Sequence, residues 1–246
     1  MHFPTLILTI TLILIAATAL SAAPASFKAP AERGFLVRTV SVGGKDVKYA
    51  VYVPESYDPA KPMPTIIFLN GAGECGSDGL KELYHFGSAV MLNSEKWPFV
   101  ILFPQKQDVK HAWEDEEPMV MAILKKSRKE FNIDPARLYL TGLSQGGRGT
   151  WTIAAMHPDL FAAIAPVCGW AEEETAKKVA KLPIWAFHGD QDQAVDVERS
   201  REMGRWITAA GGTCKLTIYP GVGHNSWDKA YGEENLGAWF LEHRKG

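Results

Sequence analysis

Tyr139-Leu140-Thr141-Gly142-Leu143-Ser144-Gln145-Gly146-Gly147-Arg148-Gly149 decides how the rest of this chain is read. A short apolar run ends at Gly142, and a helix-compatible run begins at Thr150. Between them Gly142-Leu143-Ser144-Gln145-Gly146 matches G-x-S-x-G. A serine held at the tip of a sharp strand-to-helix turn has a strained backbone. Side chains two residues to either side would collide there, and Gly142 and Gly146 remove them. The following helix points its N-terminal N–H groups at any negative charge that develops beside the serine. Glycine and serine also crowd ordinary turns, so the pattern has weight here because it is flanked by a strand and a helix.

Outward from this turn, buried strands alternate with helices. The continuously apolar run at 65–69 reads as a strand buried on both faces, followed by the glycine-rich Asn70-Gly71-Ala72-Gly73-Glu74-Cys75-Gly76. A helix is expected at 80–92, a strand at 99–103 and a helix at 117–131, acidic at its start and basic towards its end. Beyond the serine come strands at 161–167, 183–187 and 214–219 and helices at 172–180, 196–210 and 227–242, the last interrupted near Gly232. Ahead of them all, 35–42 and 47–53 alternate in polarity around Gly43-Gly44-Lys45-Asp46, a hairpin signal. The pattern predicts an α/β fold with a mostly parallel central sheet and helices on both faces. Ligands in that architecture bind at the carboxyl ends of the strands.

A serine hydroxyl needs a base, and Ser144, Asp192 and His224 supply the order Ser, Asp, His. His224 lies in a glycine-flanked loop after the last strand. Asp192 stands at the crest of the loop after the 183–187 strand and is chosen over Asp190, too close to its strand, and Asp196, a helix cap. His188 is expected to pack locally, His157 to complement a helix end and His243 to be solvated. His85 and His111 precede the serine, although His111 stands near Trp113. Oxyanion donors are expected from the backbone N–H groups of Gln145 and Ala72. Trp113, Trp170 and Trp227 are candidate aromatic walls for an acyl group or a sugar ring. Arg148 and Glu74 receive no role.

Residues 1–25 read as an export signal: an apolar stretch, then Ala17-Thr18-Ala19 and Ala23-Pro24-Ala25 as cleavage sites. Residues 26–33 read as a leader and 34–246 as one catalytic domain. The expected location is therefore secreted or periplasmic. The alternative is an uncleaved anchor, for which the stretch is short of about 20 residues. The net charge of −2 argues against a nucleic-acid or anionic-membrane partner. Cys75, Cys168 and Cys214 are an odd count for an exported chain, and their spacing indicates no metal site. No cofactor is expected. Only 169–182 separates two strands where a lid would be inserted, so no lid domain is expected.

Taken together, Phe68-Leu69-Asn70-Gly71-Ala72-Gly73-Glu74, the long stretch from Phe131 to Gly147, His157-Pro158-Asp159-Leu160-Phe161, His188-Gly189-Asp190-Gln191-Asp192 and Tyr219-Pro220-Gly221-Val222-Gly223-His224 resemble the α/β-hydrolase superfamily. More narrowly they resemble exported bacterial carboxylesterases, feruloyl esterases and "predicted peptidases". The resemblance implies a Ser144–Asp192–His224 triad, an acyl-enzyme intermediate, and small or polysaccharide-linked ester substrates of feruloyl or acetyl type. Short peptides are the alternative substrate, and a non-catalytic binding protein on the same scaffold is the reading from another class. The family usually has histidine where Asn70 stands and often arginine where Cys75 stands. Related dienelactone hydrolases carry a cysteine nucleophile where this chain has Ser144.

Overall fold

An eight-stranded sheet runs through the molecule in the order β1-β2-β4-β3-β5-β6-β7-β8. The structure, a computed structural model, describes residues 32–246, so the expected signal and most of the leader lie outside the described residues. The strands are β1 (Gly34–Val42), β2 (Lys45–Val53), β3 (Met63–Leu69), β4 (Val100–Pro104), β5 (Ile133–Leu143), β6 (Ala163–Val167), β7 (Trp185–Gly189) and β8 (Lys215–Tyr219). The first two form the expected antiparallel hairpin, turned by Gly43 and Gly44 at φ 57° and 79°. That conformation is open to glycine and strained for most other residues. β2 meets β4 antiparallel, and every later pairing is parallel.

Helices α1 (Phe86–Leu92), α2 (Glu117–Glu130), α3 (Gln145–Met156), α4 (Glu173–Val179), α5 (Glu198–Ala209), α6 (Trp227–Gly232) and α7 (Leu236–Leu241) cover the sheet. The apolar run of β3 explains why both faces must be covered. Ile67 and Leu69 enter one core with Ile123 of α2 and Trp151 and Ile153 of α3. Ile66 and Phe68 point the other way, into a second core with Phe86, Tyr231 and Phe240. Each such side chain fully withdrawn from water contributes about 2 kcal/mol.

Strand order reverses around β3: the chain goes from β3 outward to β4 and returns to β5 on the other side of β3. Above that reversal, at the strands' carboxyl ends where ligands bind in this architecture, the loops after β3 and β5 meet. The loop after β5 carries Ser144, and the loop after β3 carries Ala72.

Several elements differ from expectation. β5 starts earlier and ends later than 137–140, because Ile133 pairs with Met63 while Gly142 and Leu143 stay paired with Pro166 and Val167. The apolar run understates the ladder, which depends on neighbours distant in sequence. The expected helix at 80–92 is broken into a 3-10 turn at Lys81–Leu83 and the short α1. The last helix is interrupted after Gly232 as expected, giving α6 and α7. Between β6 and β7 stands only α4, so no lid domain is inserted there among the described residues. Among the described residues no helix is long and apolar enough to cross a membrane.

Candidate active site

The turn after β5 is as tight as its sequence requires. Ser144 stands alone between β5 and α3 at φ 54° and ψ −116°, a positive φ that costs a non-glycine residue on the order of 1–3 kcal/mol. Its N–H donates to the Val167 carbonyl (3.0 Å), and the Arg148 N–H donates to its carbonyl (2.9 Å). A Cβ on Gly146 would lie 1.9 Å from the Leu69 carbonyl oxygen, and one on Gly142 2.5 Å from the Gly146 carbonyl oxygen. Gly147 is equally constrained, with a Cβ placed 2.3 Å from the Val167 oxygen. The three glycines thus let α3 press against the ends of β3 and β6.

Ser144 Oγ lies 2.9 Å from His224 Nε2, and His224 Nδ1 lies 2.7 Å from Asp192 Oδ2. With Nδ1–H donated to the carboxylate, Nε2 faces the serine hydroxyl as an acceptor. The Asp192 side chain is fully buried. Burial alone would raise its carboxyl, but the hydrogen bond from His224 and those from the Val195 and Ala194 N–H groups outweigh it and hold it below the usual carboxylate range. His188, also fully buried, lies 3.2 Å from Asp192 Oδ2 and hydrogen-bonds Ser200 Oγ and the Val195 carbonyl. Burial pushes its imidazole below the usual histidine range, which keeps it neutral beside the carboxylate.

The two loops that carry this pair are tied together. Asp190 Oδ1 accepts the Gly221 N–H (2.7 Å), and the Gln191 N–H donates to the Val222 carbonyl (2.9 Å). Asp190 thus holds the histidine loop and Asp192 holds the histidine. Asp196 Oδ1 accepts the Glu198 N–H from just ahead of α5, whose N-cap position is Val197 and not Asp196.

Gln145 opens α3, so its N–H has no acceptor within the helix. Ala72 is exposed in the loop after β3. That loop is braced from several directions. Asn70, fully buried, donates from Nδ2 to the Gly71 carbonyl (2.6 Å), and its Oδ1 accepts the Lys106 N–H (3.0 Å). Trp113 Nε1 donates to the Asn70 carbonyl (3.0 Å), and Glu74 Oε2 accepts the Gly71 N–H (2.9 Å). Asparagine therefore holds the loop where the resembling proteins usually have histidine. Glu74, given no role from sequence, is one of the braces. Its other oxygen lies 3.2 Å from His85 Nε2.

Two grooves are lined in part by residues that directly follow these positions, Gln145 after Ser144 and Gly73 after Ala72. One, about 200 Å³, is lined by Lys106, Lys110, His111, Gln145, Arg148 and Trp170, among others. Lys106 Nζ donates to the His111 carbonyl (2.7 Å) and to Gln145 Oε1 (2.5 Å), and burial pushes its ammonium below the usual lysine range. Arg148 pairs with Glu114 at 2.7 Å. The other groove, about 280 Å³, is lined by Gly73, Glu74, Lys81, Tyr84 and His85.

The tryptophans separate. Trp170 is half-buried and lines the first groove. Trp227 is half-buried, edge-on to His224 with ring centroids 5.2 Å apart and 4.9 Å from the His85 ring. Trp113 belongs to the lining of the first groove but is only 1% exposed and packs beneath Gly149, so it braces the 105–116 segment and presents little of its face there. His243 is not solvated: its ring packs on Trp239 at 4.6 Å. His157 lies 2.6 Å from Glu117.

All three cysteines are free. Cys168, Asp192 and His224 each place a donor atom within 4.8 Å of the others, a grouping invisible in their sequence spacing. Burial pushes the Cys168 thiol up to about 12, and His224 Nδ1 is engaged by Asp192, so the arrangement is a hydrogen-bonded pair beside a protonated thiol.

Sheet order, elbow and the serine–histidine–aspartate alignment together define an α/β-hydrolase. Residues 95–234 match the dienelactone hydrolase family, and the chain belongs to that family. Over 226 residues it is 26% identical to the probable carboxylesterase Os04g0669500 of Oryza sativa, covering 79% of this chain and 83% of that protein. Feruloyl esterase B of Neurospora crassa is 23% identical over 198 residues, covering 73% of this chain and 64% of that protein. A thermostable esterase of known crystal structure is 30% identical, with a TM-score of 0.77, and the match covers 86% of this chain and 63% of that one. The chain spans about half the length of a further relative, carboxylesterase SOBER1 of Arabidopsis thaliana.

Proposed function

We propose that this protein is a serine carboxylic-ester hydrolase with Ser144 as nucleophile. The observation that carries the reading is the unbroken alignment Ser144 Oγ, His224 Nε2, His224 Nδ1, Asp192 Oδ2, with the serine at positive φ. Ser144 Oγ bonds to the ester carbonyl carbon while His224 Nε2 takes its proton. The N–H groups of Gln145 and Ala72 hold the resulting oxyanion. The bond from carbon to the alcohol oxygen then breaks, and the imidazolium returns the proton to that oxygen. Water, deprotonated by His224, attacks the acyl-enzyme and frees the acid and Ser144. Asp192 remains ionised and holds the imidazole in the required tautomer throughout.

The likeness to a feruloyl esterase and the open grooves support small or polysaccharide-linked esters of feruloyl or acetyl type as substrates. Trp170 and Trp227 are the aromatic faces available to them. Export is a further proposal, resting on the composition of residues 1–25. The test is hydrolysis of methyl ferulate and an aryl acetate, with mass spectrometry of protein treated with a fluorophosphonate. We expect turnover of at least one ester and a single adduct on Ser144. An adduct elsewhere, or turnover that survives in Ser144→Ala, would overturn the assignment.

A further inference from the structure

The two donors expected to hold the oxyanion stand on separate loops, Ala72 after β3 and Gln145 at the start of α3. Backbone contacts of the elbow fix Gln145, and side-chain braces fix the loop that carries Ala72. An oxyanion needs both N–H groups at about 3 Å at once, so one loop must also be fixed against the other.

Lys106 makes that connection. It lies two residues past β4, and its backbone grips the loop after β3 at both ends. Its N–H donates to Asn70 Oδ1 (3.0 Å), and its carbonyl accepts the Gly76 N–H (3.0 Å). Its side chain reaches the other loop, where Nζ donates to Gln145 Oε1. A second bond from Nζ, to the His111 carbonyl, anchors the ammonium in the 105–116 segment. Gln145 Nε2 in turn donates to the Val109 carbonyl (3.3 Å), so both polar ends of that side chain are held. Among the described residues, Lys106 alone hydrogen-bonds both loops.

The connection has a marked chemical character. Lys106 is 1% exposed, and among the described residues no carboxylate stands within ion-pair distance of its ammonium. Both of its acceptors are neutral oxygens. A buried charge without a counter-ion is costly. A methionine would fill the same space without that cost, so what the ammonium adds is its bonds to Gln145 and His111. Its charge also has the sign that favours a negative oxygen forming at the Gln145 N–H.

We propose that Lys106 is a positioning residue for the oxyanion hole: its side chain grips Gln145, its backbone grips the loop after β3, and together they set the gap that the tetrahedral intermediate's oxygen enters. The inference rests on the ester-hydrolase reading and adds to it a residue that acts through Gln145. The test is a double-mutant cycle on the full chain: wild type, Lys106→Met, Gln145→Met and the two combined. Gln145→Met removes the side-chain bonds and keeps the backbone N–H. Each protein is assayed for kcat and KM on phenyl acetate and for inhibition by phenylboronic acid, which forms a tetrahedral anionic adduct on a nucleophilic serine. We expect each single variant to lose about tenfold in kcat and in boronate affinity, with KM within about twofold of wild type. The combined variant should lose about the same tenfold, because both changes break one link. A loss in the combined variant equal to the product of the single losses overturns positioning through Gln145. So does a kcat within about twofold of wild type in either single variant, and Gln145→Met decides the matter by itself if Lys106→Met does not fold. Each of these results leaves the esterase reading standing, whereas wild-type protein that cleaves no ester overturns both.

Discussion

The two loops that meet above the sheet are held by different physics. The loop after β5 is held by backbone against backbone: Gly142, Gly146 and Gly147 leave no room for a Cβ, and Ser144 keeps its positive φ because α3, β3 and β6 close around it. The loop after β3 is held through side chains: Asn70 and Glu74 brace it from within, Gln105 and Trp113 reach in from the 105–116 segment, and Asn70 Oδ1 accepts the Lys106 N–H. Packing of the first kind is all-or-none, since a carbonyl oxygen cannot move aside cheaply. A hydrogen-bonded brace can lose one member and keep the rest, so its failure is graded.

The largest effects should therefore come from the elbow. Gly146→Ala places a carbon 1.9 Å from the Leu69 carbonyl oxygen, and we expect either no soluble protein or a loss of about 3 kcal/mol or more in urea unfolding. Ser144→Ala should keep the wild-type urea midpoint and lose on the order of 10⁴-fold or more in kcat. A Gly146→Ala protein of ordinary stability would refute the backbone-contact account of the elbow.

The acid loop comes next. Asp192→Asn removes the charge that orients His224, and we expect kcat to fall on the order of 10³- to 10⁴-fold. Asp190→Asn keeps an oxygen for the Gly221 N–H and should stay within about threefold of wild type. Steady-state kinetics on one aryl ester decides the matter, and a greater loss in Asp190→Asn would mean the acid has been misassigned.

On the β3 side, Glu74→Gln keeps an oxygen for the Gly71 N–H but weakens a charge-assisted hydrogen bond. A drop in kcat of about tenfold at nearly unchanged KM is expected, because the oxyanion forms only in the transition state. A change confined to KM would place Glu74 in ground-state binding.

The same difference explains what can be read from the sequence. Gly142-Leu143-Ser144-Gln145-Gly146, Asp192 and His224 are local: each follows a strand whose apolar run is visible, and their turns are marked by glycine. The strand ends are less legible, because the Ile133–Met63 pairing that lengthens β5 joins segments far apart in the chain. The braces are hardest. Neither Glu74 beside His85 nor Trp113 beneath Gly149 has a sequence signature, since each contact exists only once three loops have packed together. His85 precedes the serine, against the order a catalytic histidine follows, yet the fold brings it to Trp227.

The smallest effect should appear on stability alone, at Glu82. This residue lies in the 3-10 turn before α1 with no exposure, and only its own backbone and that of Ala50 act on its carboxyl against the burial. Burial pushes its carboxyl from 4.5 up to about 7. Between those values the folded protein keeps a proton that the unfolded chain releases. Stability from this group is therefore present at acid pH and falls as pH rises through about 7, by about 3 kcal/mol at the limit. Glu82→Gln cannot ionise, so this part of the slope should vanish. The amide remains a poorly satisfied buried polar group, so the net gain at pH 8 should be only about 1 kcal/mol. Urea midpoints of wild type and Glu82→Gln at pH 5 and pH 8 make the test, since other titrating groups cancel between the two proteins. A difference between the proteins that is the same at both pH values would show that Glu82 stays ionised in the fold.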